Sequence, residues 1–266
     1  MGTHKHNGFT VIEVMLFLAI TGLLIAGVMV GARNNINSQR YRDTVEQFRN
    51  VIQGQYDRVY SLTNSDANVD TGSQNPCAQS AAESNKHRGT TNCLYVGRVI
   101  ELISDASTGT SSVRTSPLIA RSNSPQLPPI FGESGSAGGA SGNPIRGYSV
   151  FRYDQNDQLV DTWQLGWNLS VVSAGTEDRL QQLAIVILRS PLNGGISTHV
   201  VNGELSADQA ADLSSVVRSS DNRREAKLCV ADLQGEIEPP DRMAVVVRAG
   251  ATGPGDIASL GVEAGC

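Results

Sequence analysis

Histidine, tryptophan and cysteine are scarce in this 266-residue chain, and charge is thin. There are four His, two Trp and four Cys, and charged residues make up 18%. The histidines are His4, His6, His87 and His199, and none lies in a His-Glu-x-x-His run. Gly-x-Ser-x-Gly is also absent, so no hydrolase or metalloprotease frame is present. No catalytic residue, cofactor or metal site is expected, and the chain does not read as an enzyme. No two cysteines form a Cys-x-x-Cys pair, which argues against a thioredoxin-type or zinc-ribbon motif. His87 lies between Cys77 and Cys93, but that spacing fits no zinc pattern, and a solvated loop histidine is the simpler reading. The net charge is −5, so the overall field does not attract nucleic acid. Arg218, Arg223, Arg224 and Lys227 form one basic cluster that could touch DNA phosphates. Asp221 and Glu225 sit within it and no aromatic is interleaved, so a solvated charged face is preferred.

Long apolar runs are equally scarce; the chain has one. Residues 1–8 are polar and contain Lys5. Phe9 to Ala32 then carries a single charge, Glu13. As a helix this stretch is about 36 Å long, enough for a bilayer core about 30 Å thick. A secretory signal has a shorter apolar core, although Val30-Gly31-Ala32 could be its cleavage site. A plain anchor explains the length but not the charge. A lone carboxylate inside a membrane segment marks function, and its partner is a cation. The simplest cation is a free α-amino group on Phe9, created by a cut between Gly8 and Phe9.

Gly8-Phe9-Thr10-Val11-Ile12-Glu13 resembles the processing motif of type IV prepilins and pseudopilins. The resemblance covers roughly the first 60 residues. It implies cleavage after Gly8 by a prepilin peptidase, N-methylation of Phe9, and pairing of Glu13 with the amino terminus of a neighbouring subunit. It implies other pilin subunits and the membrane as partners. The N-terminus would be cytoplasmic, held by Lys5, and the body extracytoplasmic. The implied fold is α+β: a long helix, half in the membrane and half amphipathic, packed on an antiparallel sheet with long loops. The expected parts are a leader (1–8), a transmembrane and assembly helix (9–32), its amphipathic continuation (33–62) and a β-rich body (63–266). The size of the body favours a minor or tip subunit of a type IV pilus, competence pilus or secretion pseudopilus. A DNA-binding minor pilin and a membrane-tethered adhesin that does not polymerise are the alternatives.

The residues support the second half of the helix independently. Tyr41, Val45, Phe48, Ile52, Tyr56 and Val59 follow steps of three and four, an amphipathic stripe, and no proline interrupts residues 9–75. Cys77, Cys93, Cys229 and Cys266 are even in number and widely spaced, which in an exported chain reads as two disulfides. Four cysteines allow three connectivities; Cys77–Cys93 and Cys229–Cys266 are favoured because each closes a local loop. Four free buried thiols are the alternative.

Further on, 63–92 reads as a polar loop and a strand starts at Cys93. Residues 104–116 read as a Ser/Thr/Gly linker and 121–144 as an irregular Ser/Gly/Pro segment. Gly147–Tyr153 and Gln158–Trp163 carry a hairpin signature around Asp154-Gln-Asn-Asp157, a polar turn rather than a calcium loop. Leu183–Arg189 reads as a buried strand, and Ala207–Val217 as a short helix. Lys227–Ile237 and Arg242–Arg248 form a terminal hairpin, which weakly resembles that of some minor pilins.

Overall fold

A computed structural model describes residues 10–61, 93–105, 107–122, 148–152, 160–174, 181–190, 193–205, 213–232, 241–261 and 264–266. The chain divides into two compact units, Met1–Asp43 and Thr44–Cys266. The fold is α+β.

One helix, α1 (Val11–Tyr60), opens the chain and crosses the boundary between the units. Ten strands follow. They are β1 (Cys93–Ser104), β2 (Ser111–Ser122), β3 (Tyr148–Arg152), β4 (Asp161–Gln164), β5 (Leu169–Val172), β6 (Leu183–Arg189), β7 (Ile196–Asn202), β8 (Ala226–Asp232), β9 (Ala244–Val247) and β10 (Ile257–Leu260). A short helix, α2 (Ser214–Arg218), precedes β8. All pairings are antiparallel. One sheet runs β3-β2-β1-β6-β7, with β4 also on β2; the other runs β10-β9-β8-β5.

In the second unit, Val45, Phe48, Ile52, Tyr56 and Val59 of α1 are wholly buried. The steps of three and four put them on one face of the helix, and Phe48 stacks on Trp163 of β4, 6.0 Å between ring centres. Polar side chains beside the stripe hold the edge of the smaller sheet. Gln53 Nε2 donates to the Pro254 carbonyl (2.9 Å), and Arg49 Nε donates to that of Ile257 (3.3 Å). Ser259 donates to Glu46, and with Arg49 this bond holds the Glu46 carboxyl below its ordinary value. A buried relay joins the layers. The Tyr56 hydroxyl meets Thr198 Oγ1 of β7 at 2.9 Å, and Thr198 donates to the Ala251 carbonyl at 2.7 Å. Burial pushes the Tyr56 phenol up to about 12. At the far end of α1, Arg189 Nη1 donates to the Tyr60 carbonyl at 2.8 Å, satisfying an acceptor that a helix end leaves open.

The opposite face of the larger sheet is also buried. Val96, Val99, Leu118, Val150, Val186 and Leu188 form its core with Leu213, which precedes α2, and Val216 and Val217 of α2.

Two expectations are corrected. The segment 104–116 is not a linker throughout: β2 begins at Ser111 and pairs with β1 over its length. Its polar residues stay in a strand because β1 pairs with all of it and β4 pairs with Ser112–Thr115, which satisfies main-chain groups that a linker would leave to water. Gly147–Tyr153 and Gln158–Trp163 do not form a hairpin with each other. β3 pairs with Leu118–Ser122 and β4 with Ser112–Thr115, so both lie along one edge of β2 in the same direction. The gap between them falls at Ser116 and Pro117, and proline has no N–H to give a ladder.

The buried strand at Leu183–Arg189 is present as read, and of the terminal hairpin β8 pairs with β9, while 233–240 lie outside the described residues. Of the helix read over 207–217, Ser214–Arg218 is helical, and 206–212 lie outside the described residues. So do the loop 63–92, most of 121–144 and the turn 154–157.

Candidate functional site

The start of α1 is built from four consecutive residues. Thr10 precedes the first helical residue, and its Oγ1 accepts the Glu13 N–H at 3.3 Å. Its carbonyl accepts the Val14 N–H at 3.2 Å. That is an N-cap, and Thr-x-x-Glu is the residue order of a capping box. Glu13 therefore stands in the first turn, where a helix favours negative charge. Sequence reasoning weighed Glu13 only as a partner for a distant amine and missed Thr10; the three-residue spacing before an apolar run was the available signal. Gly8 and Phe9 lie outside the described residues.

Beyond the cap, Val11–Met29 is long and apolar enough to cross a membrane, and none of it is buried. Leu23 is 75% exposed and Phe17 66%. Its one hydroxyl, on Thr21, donates to the Phe17 carbonyl at 2.8 Å, so it asks nothing of its surroundings. Such a surface in water carries a large unfavourable hydration term, since each buried CH₂ contributes about 0.8 kcal/mol. Lipid, or the same face of other helices, removes that term.

The remaining candidate residues are spread through the body. Cys229 of β8 and the terminal Cys266 form a disulfide, with Cα atoms 5.7 Å apart. Cys77 lies outside the described residues; Cys93 opens β1. His199 of β7 is fully buried, opposite Val186, and neither ring nitrogen has a hydrogen-bond partner among the described residues. Burial, with a smaller contribution from Arg223, lowers it to about 4, so it is neutral at pH 7. His4, His6 and His87 lie outside the described residues. Among the described residues no three His, Cys, Asp or Glu side chains gather as a metal site. Arg218, Arg223 and Arg224 are exposed, as are Asp221, between the first two, and Glu225, which follows Arg224, and Lys227 Nζ donates to the Gly265 carbonyl at 3.3 Å.

The chain matches the family model of the prokaryotic N-terminal methylation motif over residues 3–29. No curated protein and no solved structure matches it.

Proposed function

From an N-terminus of the type IV pilin and pseudopilin family, we infer that this chain is a structural subunit, minor or at the tip, of a pilus or secretion pseudopilus. One observation carries this reading: an exposed apolar helix that opens with a capped turn holding Glu13 inside a methylation motif.

The proposed order of events follows from the residues. Lys5 keeps the leader in the cytoplasm, in line with the positive-inside bias, and the body is exported. Peptidase cleavage after Gly8 frees the amine of Phe9, which is then methylated. Val11–Met29 holds the subunit in the bilayer until assembly moves it among the helices of its neighbours. There Glu13 pairs with the amino terminus of an adjacent subunit. The attraction between unit charges at about 4 Å rises from about 1 kcal/mol in water to about 4 at an effective dielectric of 20, so the pair sets register most strongly where water is excluded. In an oxidising compartment the Cys229–Cys266 bridge persists, and the same logic pairs Cys77 with Cys93.

Mass spectrometry of the mature chain tests the reading. A first residue of methylated Phe9 is expected; an intact Met1, or a start at Arg33, would refute it. Glu13→Ala is expected to leave cleavage complete while reducing the subunit's content in sheared filaments at least several-fold. Unchanged content would remove the pairing role.

A further inference from the structure

The outer face of the smaller sheet carries two buried polar groups with nothing to bind among the described residues. Arg242 is 9% exposed, and its Nε and Nη1 have no hydrogen-bond partner there. Ser170 is wholly buried, and its Oγ is likewise unpartnered. The two lie in one cross-strand row. Ser170 pairs with Ala231, and the β8–β9 register (Cys229 with Ala244, then the Val230 N–H on the Met243 carbonyl) brings Arg242 opposite Ala231. Alternation along each strand sets Arg242 on the side of Ala244, and Ser170 on the side of Val172. Both Ala244 and Val172 belong to the apolar cluster that also contains Ala231 and the Cys229–Cys266 bridge.

A guanidinium does not discharge when buried. Its alternatives are a counter-charge or an uncompensated loss of hydration, and no carboxylate pairs with Arg242 among the described residues. Asp232 alternates onto the opposite face, and Asp241 is exposed. Nε and Nη1 stand on different edges of the guanidinium, so each edge keeps an N–H without a partner among the described residues, a charged donor for an anion's oxygen. Ala231 of β8 is the residue between Arg242 and Ser170 in the row. Two strand spacings put their backbones about 10 Å apart, a span that an arginine side chain and one bridging oxyanion cover together.

We propose that Arg242 and Ser170 form a binding site for an oxyanion, a phosphate or a carboxylate, with an open guanidinium N–H and the Ser170 hydroxyl donating to its oxygens. The site lies in the body and does not depend on processing or assembly.

The test uses the full chain in detergent micelles, titrated with inorganic phosphate and separately with acetate, against chloride at matched ionic strength. Binding is read by calorimetry and by the ¹⁵N–¹H signal of Arg242 Nε. A saturable heat with a shift of that signal is expected for at least one oxyanion. Phosphate alone would assign a tetrahedral ligand, and acetate alone a carboxylate such as that of a neighbouring chain. Arg242→Met is expected to weaken binding at least tenfold, and Ser170→Ala, which keeps the packing, about fivefold. The inference is overturned if chloride moves the Nε signal equally, if neither oxyanion binds, or if Ser170→Ala binds as the parent does. The Nε signal and the Ser170 variant decide the matter even where Arg242→Met does not fold.

Discussion

Glu13 and His199 are ionisable groups in opposite surroundings. Glu13 stands exposed in the first turn of α1, where the cap orients it. His199 is sealed in the larger sheet with nitrogens unpartnered among the described residues. The histidine makes a pH prediction. Its value falls from an ordinary 6.5 to about 4 in the folded chain, so the unfolded chain binds the proton first. Stability is therefore fully present above pH 6.5 and is lost as the pH falls through the window down to about 4. The full loss is on the order of 3 kcal/mol, because each tenfold change in proton affinity corresponds to about 1.4 kcal/mol. Urea denaturation midpoints at pH 7.5 and 4.5 measure it. His199→Leu is expected to flatten the slope between those values, and an unchanged slope would show that another group dominates.

At the scale of elements, Gly97 shows how closely two strands meet. The β1–β2 register shifts between Tyr95 and Gly97, and Gly97 pairs with Leu188 of β6. A Cβ on Gly97 would stand 1.9 Å from the Ile187 carbonyl oxygen. That atom is backbone in a central strand and has nowhere to move. Gly97→Ala is expected to cost about 3 kcal/mol or more, the range reserved for a core clash, read as a lower urea midpoint. Gly54, with nothing within 4 Å of an added Cβ, is the control: Gly54→Ala is expected to stabilise α1 by up to about 1 kcal/mol.

For the whole molecule, one covalent cross-link holds the C-terminal residue to the sheet. The Cys229–Cys266 bridge spans 37 residues, which in the chain-entropy model corresponds to about 4 kcal/mol. It ties the tail to the outer face of the sheet beside Val172, Ala244 and Ala264. Cys229→Ser with Cys266→Ser is expected to lower stability by about 2–4 kcal/mol in oxidising buffer, and adding reductant to the parent chain is expected to reproduce much of that loss. Equal midpoints for parent and double variant would show that packing alone holds the tail.

What the sequence alone determined is local in kind. Gly8, Phe9 and Glu13 lie within one short run, the stripe from Val45 to Val59 repeats at helical spacing, and Leu183–Leu188 is apolar throughout. Each can be read because its neighbours along the chain carry the signal. Tertiary structure decided what depends on remote partners. It made the polar stretch at Ser111 a central strand, because β1 satisfies its backbone on one side and β3 and β4 on the other. It broke the outer strand at Pro117, where no N–H is available. It buried His199 beneath residues from another element, and brought Arg242 and Ser170, far apart in sequence, into one row. The opening carboxylate divides along the same line: its place in the chain was legible from residue types and spacing, whereas the hydrogen bond from its N–H to Thr10 emerged only once the chain was coiled.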